Sequence, residues 1–545
     1  MGVPPLRLLD WIVLAASLVF VIGYGLWRSR RTNTTEQYLL AGREMPWYAM
    51  ALSIMATQAS AITFISTTGQ AYADGMRFLQ MYLGLPLAMI LISMTAVPIF
   101  HRARVYTAYE YLEQRFDVKT RTLVSIVFLI QRGLGAGVAL YAPAIVLTVI
   151  FGWPDYMTTA IMGVLVVLYT TLGGIRAVTW TDFQQMLIMM IGLVTALLCA
   201  IWLMPREVSF IDAVKIAGVA GRLNALVTSF SWSDQYNLFS GLIGGMFLSL
   251  AYFGCDQSQV QRYLTGRSIA QSRLSLLFNA IAKLPMQFLI LFTGAMVFVF
   301  YVYVKPPLIF HPGEMKKVEQ RADAAQLQQR FDRAWQSRRA AVGHDDAAFL
   351  QAQAEIDRVR TQTGATNDTN FIFLTFVTHY LPAGLVGLVM AAIFAAAMST
   401  ISAEVNSLAT VTVIDIYKRH FAQEAGDGHY LWASRIFTAL WGVYAVFAAG
   451  FGRSLGSLIE AVNMVGSFFY GSLLGAFILA FYAPRVGANA AFLAILVGEA
   501  AVVAVHLTWK VSFLWYNVVG AVAVVAAGML LSVALPRNPN ASPTK

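Results

Sequence analysis

Thirteen long, nearly uncharged apolar runs divide this chain, and they leave few folds open to it. They cover residues 10–27, 47–72, 78–101, 121–151, 154–172, 178–204, 238–255, 274–304, 384–416, 430–450, 458–482, 487–508 and 513–535. About 18 apolar residues suffice to cross a bilayer as a helix. Inside hydrocarbon every backbone N–H and C=O must be satisfied within the protein, which leaves helices or a closed barrel. A barrel would show short alternating strands, whereas these runs are continuous. The pattern predicts an all-α integral membrane protein of about 13 transmembrane helices, numbered here as spans one to thirteen.

Composition supports this. With 58% of its 545 residues hydrophobic and 12% charged, the chain carries more apolar surface than one soluble core can hide. The formal charge of +10 does not imply a nucleic-acid partner, because the basic residues lie between apolar runs and not on one face. Cys199 and Cys255 fall within or beside apolar runs, so no disulfide framework is expected. Asp10 to Trp27 lacks a small-residue cleavage site and reads as a span rather than a signal peptide.

Lys and Arg in short loops set the expected orientation. Arg28, Arg30, Arg31 and Arg43 follow span one, and Arg102, Arg104, Arg115, Lys119 and Arg121 follow span three. Later alternate loops hold Arg176, then Arg262, Arg267 and Arg273, then Lys418 and Arg419, and finally Arg485. Placing these loops in the cytoplasm puts the N-terminus outside and the C-terminus inside. The chain is then a multi-pass protein of the cell membrane, the inner membrane if the source is a Gram-negative bacterium, with the lipid bilayer around it. Residues 1–46 form an N-terminal span and basic cytoplasmic loop, 47–204 a first repeat, and 205–237 an outer loop. Residues 238–304 start a second repeat, which 384–482 complete; 483–545 hold two C-terminal spans and a short cytoplasmic tail. Between them, 305–383 is an outer polar insertion, whose stretch 305–370 predicts one or two amphipathic helices.

Some spans are too polar to serve only as anchors. Span two reads Ser53-Ile54-Met55-Ala56-Thr57-Gln58-Ala59-Ser60-Ala61-Ile62-Thr63. Helix packing explains its Ser and Thr, but an amide at bilayer depth must find partners or water, and small polar residues let a helix unwind. Span seven carries Gly241, Gly244 and Gly245 before Asp256 and Gln257, a second candidate for a broken helix. The two lie five spans apart, which suggests a five-span unit occurring twice in opposite orientations, with a site near the midplane. In span nine, Ala396, Ser399, Thr400 and Ala403 share one face. Hydroxyls and free carbonyls there suit a hard monovalent cation, although a small-residue packing face explains the alanines equally well. Asp182 near the start of span six is either a helix-start cap or an ion ligand. Arg132, flanked by apolar residues in span four, should face a cavity and pair with an anion or carbonyls. Lys283 in span eight makes the same case less forcefully, since a lysine near a helix end can snorkel.

Three segments together carry a resemblance: Tyr169-Thr170-Thr171-Leu172-Gly173-Gly174-Ile175-Arg176-Ala177-Val178-Thr179-Trp180-Thr181-Asp182, Asp256-Gln257-Ser258-Gln259-Val260-Gln261-Arg262-Tyr263, and Ser399-Thr400-Ile401-Ser402-Ala403-Glu404-Val405-Asn406-Ser407. From about Asp10 to Tyr482 the chain resembles the solute:sodium symporter family, which includes sodium/glucose, iodide, monocarboxylate, proline and sialic acid cotransporters. The resemblance implies two inverted five-helix repeats, spans two to six and seven to eleven, with Na+ as coupling ion. It implies sodium ligands at the carbonyls of Ala56, Ala59 and Ala396 and the hydroxyls of Ser399 and Thr400. A second sodium site of some members maps to Asp182, Ser399 and Ser402, but Ala403 stands where a further hydroxyl is expected. Arg132 with Ser60 and Thr63 is similar to the carboxylate-binding arrangement of the sialic acid members. The candidate substrate-binding residues are Gln58, Ser60, Thr63, Phe78, Tyr82, Arg132, Asp256 and Asn463.

The expected function is sodium-coupled symport of a small organic solute by alternating access, working as a monomer. An organic anion of monocarboxylate or sialic acid-like kind is favoured over a sugar or polyol, because the sugar pattern wants a Gln near Thr63 and a Glu near Tyr82. An enzyme is not expected: no His-Glu-x-x-His pattern occurs, and the histidines sit mostly at span ends or in loops.

Overall fold

A computed structural model describes residues 6–29, 33–151, 153–365, 368–450 and 457–535. Arg30, Arg31 and the predicted C-terminal tail lie outside them. Among the described residues the fold is all helical, apart from an isolated bridge between Met45 and Gly266. The first half comprises α1 (Leu8–Ser29), α2 (Thr35–Leu40), α3 (Trp47–Gln58), a π-wound turn Thr63–Thr67 running into α4 (Thr68–Asp74), and a 3-10 stretch Gly75–Tyr82. It continues through α5 (Leu85–Met94), α6 (Ala96–Ala103), α7 (Ala108–Arg115), α8 (Val118–Phe151), α9 (Asp155–Trp202) and α10 (Phe210–Val219). The second half holds a π-wound turn Ser240–Gly244, α11 (Gly245–Gly254), α12 (Gln257–Leu264) and α13 (Ile269–Tyr303). Then come α14 (Pro312–Glu319), α15 (Ala324–Ala341), α16 (Asp346–Gln362), α17 (Thr369–Tyr380) and α18 (Leu385–Val411), which continues as a π-wound end to Phe421. The last four helices are α19 (Asp427–Ala448), α20 (Leu458–Tyr482), α21 (Ala488–Thr508) and α22 (Leu514–Ala534).

Every predicted run falls on helix, yet only ten helical stretches among the described residues are long and apolar enough to cross a bilayer. The difference comes from breaks that an apolar run does not register. Span two divides at Gln58, span three into three pieces, and spans five and six form the single element α9, broken at Gly174. Gly174 has φ 57° and ψ −163°, a conformation that side-chain-bearing residues rarely adopt, and an added Cβ would lie 2.6 Å from the Tyr38 carbonyl oxygen.

The core is centred on α18, whose best apolar window is 89% buried, against 22% for α1 at the periphery. Around α18 pack α9, α8, α1, α19 and α3. Its start is fixed by Asp10 of α1, whose Oδ1 accepts from Gly384 N (2.6 Å) and Gly387 N (3.1 Å). Buried helix ends need such partners. Where the 75–84 segment meets 240–246, the contact is backbone on backbone. A Cβ on Gly84 would overlap Met246 N, one on Gly241 the Gln80 carbonyl, and one on Gly245 the Met81 carbonyl. Small residues at such crossings are what helix packing in lipid favours.

The insertion differs from expectation. It holds three polar helices, α14 to α16, with a small core of their own that includes Leu327, Phe331, Ile356 and Val359. Arg338 and Trp335 of α15 both donate to the Tyr301 carbonyl, at 2.7 and 3.3 Å, and so tie the hairpin to the end of α13. Burial pushes the Arg338 guanidinium below its ordinary pKa. Within the range predicted to be polar, α17 is instead apolar and largely buried, packed on α4 and the 63–67 turn.

Candidate functional site

The break in span two organises the site. The chain leaves the helix after Gln58, with Ala59 at φ −86° and ψ 71°, and re-enters it at Ala61. Last-turn carbonyls, Ala56 among them, therefore lose their i+4 partner. Thr400 of α18 donates to the Thr57 carbonyl at 3.2 Å, which brings the predicted cation-binding face of α18 against this end. The helix runs unbroken through Ala396, so that carbonyl keeps its helical donor and offers only its second lone pair.

Beside this junction stands Asp182, fully buried. Its Oδ1 accepts from Ser399 Oγ at 2.6 Å; its Oδ2 accepts from Ser53 Oγ at 2.5 Å and from Arg262 Nη2 at 3.2 Å. Arg262 also donates from Nε to Thr57 Oγ1 at 2.7 Å. Asp182 thus lies about two turns beyond the Gly174 break and joins α3, α9, α12 and α18, which overturns the helix-start cap. Ser402 is not brought to it; its hydroxyl donates to the Ser399 carbonyl of its own helix at 3.0 Å. Among the described residues no group of three or more His, Cys, Asp or Glu is arranged to hold a metal ion, and the oxygens around Asp182 are hydroxyls, so a cation here would meet neutral oxygens and one carboxylate.

A cavity of about 100 Å³ opens beside the break. Six predicted substrate residues line it: Gln58, Ser60, Thr63, Tyr82, Arg132 and Asn463. Two do not. Phe78 is buried behind the wall against Tyr82 and Tyr236, with ring centroids 5.8 and 5.3 Å away. Asp256 caps α12, its Oδ1 accepting from Ser258 N at 2.9 Å, while its Oδ2 takes the guanidinium of Arg132.

Arg132 is therefore already paired. Besides Asp256, it donates to Glu404 Oε1 (2.9 Å) and Tyr470 OH (2.7 Å), and its guanidinium lies 5.4 Å from the Tyr252 ring centroid. Glu404, Tyr470 and Tyr252 all line the cavity and were missed in the sequence. The available signal was Glu404 itself, a carboxylate inside the apolar run of span nine, where an unpaired charge would be costly. Lys283 does not snorkel: it is fully buried, its ammonium 5.2 Å from the Tyr82 ring centroid and without an acceptor among the described residues.

This architecture has close counterparts. The profile of the Sodium:solute symporter family matches residues 38–325 and 347–498. The sodium/sialic acid symporter NanT of Aliivibrio fischeri is 27% identical over 540 residues, covering 98% of this chain and 94% of that protein. The human sodium-coupled monocarboxylate transporter 1 is 26% identical over 494 residues, covering 90% and 72%. Among solved structures, a substrate-bound, outward-open Na+-coupled sialic acid symporter shares the fold with a TM-score of 0.79 at 24% identity, covering 97% of this chain and 99% of that one. A family match over most of the chain, on a helical bundle with a broken span beside a buried cavity, places the protein in the sodium:solute symporter family as a multi-pass, sodium-coupled membrane transporter and not an enzyme.

Proposed function

We propose that the co-transported solute is a small organic anion, bound in the cavity beside the span-two break. The observation that carries this is Arg132, a buried guanidinium in the cavity wall whose Nε has no acceptor among the described residues. The alternative, a neutral sugar or polyol, draws on Arg132 being already paired with Asp256 and Glu404.

Sodium is a co-substrate. Its ligands are the carbonyls of Ala56, Ala59 and Ala396 and the hydroxyls of Ser399 and Thr400; a second ion would use Asp182 after Arg262 lets go. Two inverted five-helix repeats rock around this point, with the basic loops cytoplasmic, the N-terminus outside and a monomer in the lipid bilayer as the working unit. Each sodium moving down 100 mV contributes about 2.3 kcal/mol to solute accumulation. Uptake of radiolabelled acids and sugars into proteoliposomes, with and without a sodium gradient, tests the reading. Sodium-driven uptake of a sugar but of no carboxylate would reject the anion.

A further inference from the structure

Four buried acids of the core each face an arginine: Asp182 with Arg262, Asp256 and Glu404 with Arg132, and Asp415 with Arg121. Glu499 of α21 does not. It is the twelfth of that helix's 21 residues, which puts it roughly 14–16 Å from either end, at the depth of the bilayer midplane. Its Oε1 is enclosed and has no donor among the described residues. Beside it stands the Ser472 hydroxyl of α20, fully buried and without another partner among those residues. Neither α20, α21 nor α22 contains a lysine or arginine. The fourth helix of this packing, α8, brings Lys119 to Asn489 and the Phe492 ring at the start of α21, and commits Arg121 and Arg132 to the pairs above. Of the other titratable groups on α20 and α22, Tyr470 is bonded to Asp256, Tyr516 to His506 and Glu460 to Tyr236, while Tyr482 is exposed at the end of α20.

A lone carboxylate at this depth is costly, and a cation or a proton must neutralise it. A metal cation needs several oxygens, and here one hydroxyl stands among closely packed glycines. A Cβ on Gly498 would lie 2.3 Å from Val524 Cγ2, and one on Gly471 would lie 2.9 Å from the Gly520 Cα. A proton needs neither a ligand shell nor a cavity. His506, seven residues on and so on the same face of α21, is exposed near the helix end and shares a 3.0 Å hydrogen bond with Tyr516 OH. Asn517, one turn of α22 nearer that end than Gly520, is fully buried; it donates to Ser467 Oγ at 3.0 Å and keeps an Oδ1 without a donor. Polar groups therefore lead from the exposed end toward Glu499.

We infer that Glu499 is a proton-binding site, loaded from the His506 end of α21, and that its proton lets the carboxyl donate to Ser472 and hold α21 on α20. Uptake turns the carboxylate and a hydronium ion into the carboxylic acid and water, and release returns the proton to water at the same end. Ser472 is two residues from Tyr470, which lines the cavity and holds Arg132 and Asp256, so loss of the proton loosens the support of the cavity wall. The inference does not depend on which solute the cavity takes.

The test uses the full-length protein in nanodiscs and infrared difference spectra of wild type against Glu499→Gln, whose amide replaces the protonated carboxyl without a charge. The difference should hold a protonated-carboxyl C=O band that fades with rising pH along a one-proton curve and shifts on transfer to D2O. His506→Leu should slow that shift about tenfold. The sodium concentration that half-saturates the rise in unfolding temperature should move at least about threefold across the same pH range in wild type, and by less than that in Glu499→Gln. Should Glu499→Gln not fold, Glu499→Ala supplies the same neutral reference. No carboxyl band at any pH between about 4 and 9 overturns the inference, since the group is then ionised throughout. A band that neither titrates nor exchanges also overturns it, and leaves Glu499 as fixed glue between helices. An unchanged exchange rate in His506→Leu rejects the entry route, and a sodium response as pH-dependent in the variant as in wild type rejects the link to the cavity wall.

Discussion

The buried ion pair between Arg121 and Asp415 permits a prediction whose asymmetry comes from the structure. It ties the start of α8 to the π-wound end of α18. Arg121 Nε donates to Asp415 Oδ1 at 2.6 Å, its Nη1 to Glu113 Oε2 at 2.7 Å, and its Nη2 to the Ile414 carbonyl at 3.0 Å. Side-chain exposure is 6% for Arg121 and 0% for Asp415. In Arg121→Met, Asp415 keeps only the Thr107 hydroxyl, at 2.7 Å, and becomes a stranded buried charge. Breaking such a pair costs about 3–5 kcal/mol. In Asp415→Leu, the arginine still holds Glu113, which is 22% exposed, so the loss should be nearer ~1–3 kcal/mol. The double variant Arg121→Met/Asp415→Leu replaces the pair with apolar volume and should recover most of the loss. Equilibrium unfolding in mixed detergent–SDS micelles, followed by tryptophan fluorescence, measures all three. Strictly additive losses, or Asp415→Leu as damaging as Arg121→Met, would refute the reasoning.

Three further outcomes follow from the site and its supports. Ser399→Ala/Thr400→Ala should abolish sodium-dependent uptake in proteoliposomes at a stability cost of about 1–3 kcal/mol, because Asp182 Oδ1 loses its donor while Ala itself is well tolerated in a helix; unaltered sodium dependence would show that this face only packs. Arg132→Lys cannot hold Asp256 and Glu404 together as the fork does, so the Michaelis constant should rise about tenfold and unfolding should come earlier; a neutral substrate would leave the Michaelis constant unmoved. Gly174→Ala forces a Cβ into a left-handed conformation against Tyr38, and a cost of ~1–3 kcal/mol should appear as a lower folded yield on size exclusion.

The bundle was legible because lipid imposes one demand on the backbone, and apolar length reports it. What length does not report is where a helix breaks. Gly174 divides an element whose apolar character hardly changes, and Gln58 ends a helix inside span two. At the site, six of the eight candidates taken from the polar spans and the family resemblance line the cavity. The partners could not. Asp256 takes Arg132 from 124 positions away and Glu404 does so from 272, so neither pairing leaves a local pattern in the chain. The resemblance offered Ser402 as an ion ligand, and in the fold its hydroxyl donates to the Ser399 carbonyl of its own helix.

The glycine seam between the 75–84 segment and 240–246 has a consequence for how a chain like this diversifies. Where side chains meet, one can shrink as its neighbour grows, and a change of shape proceeds in small steps. Where main chain lies on main chain, nothing is available to shrink: a methyl group at Gly84, Gly241 or Gly245 would overlap an atom of the opposing backbone, and no single compensating exchange removes that atom. The seam should therefore resist drift while the cavity wall beside it, built of removable side chains, stays free to take on a new cargo.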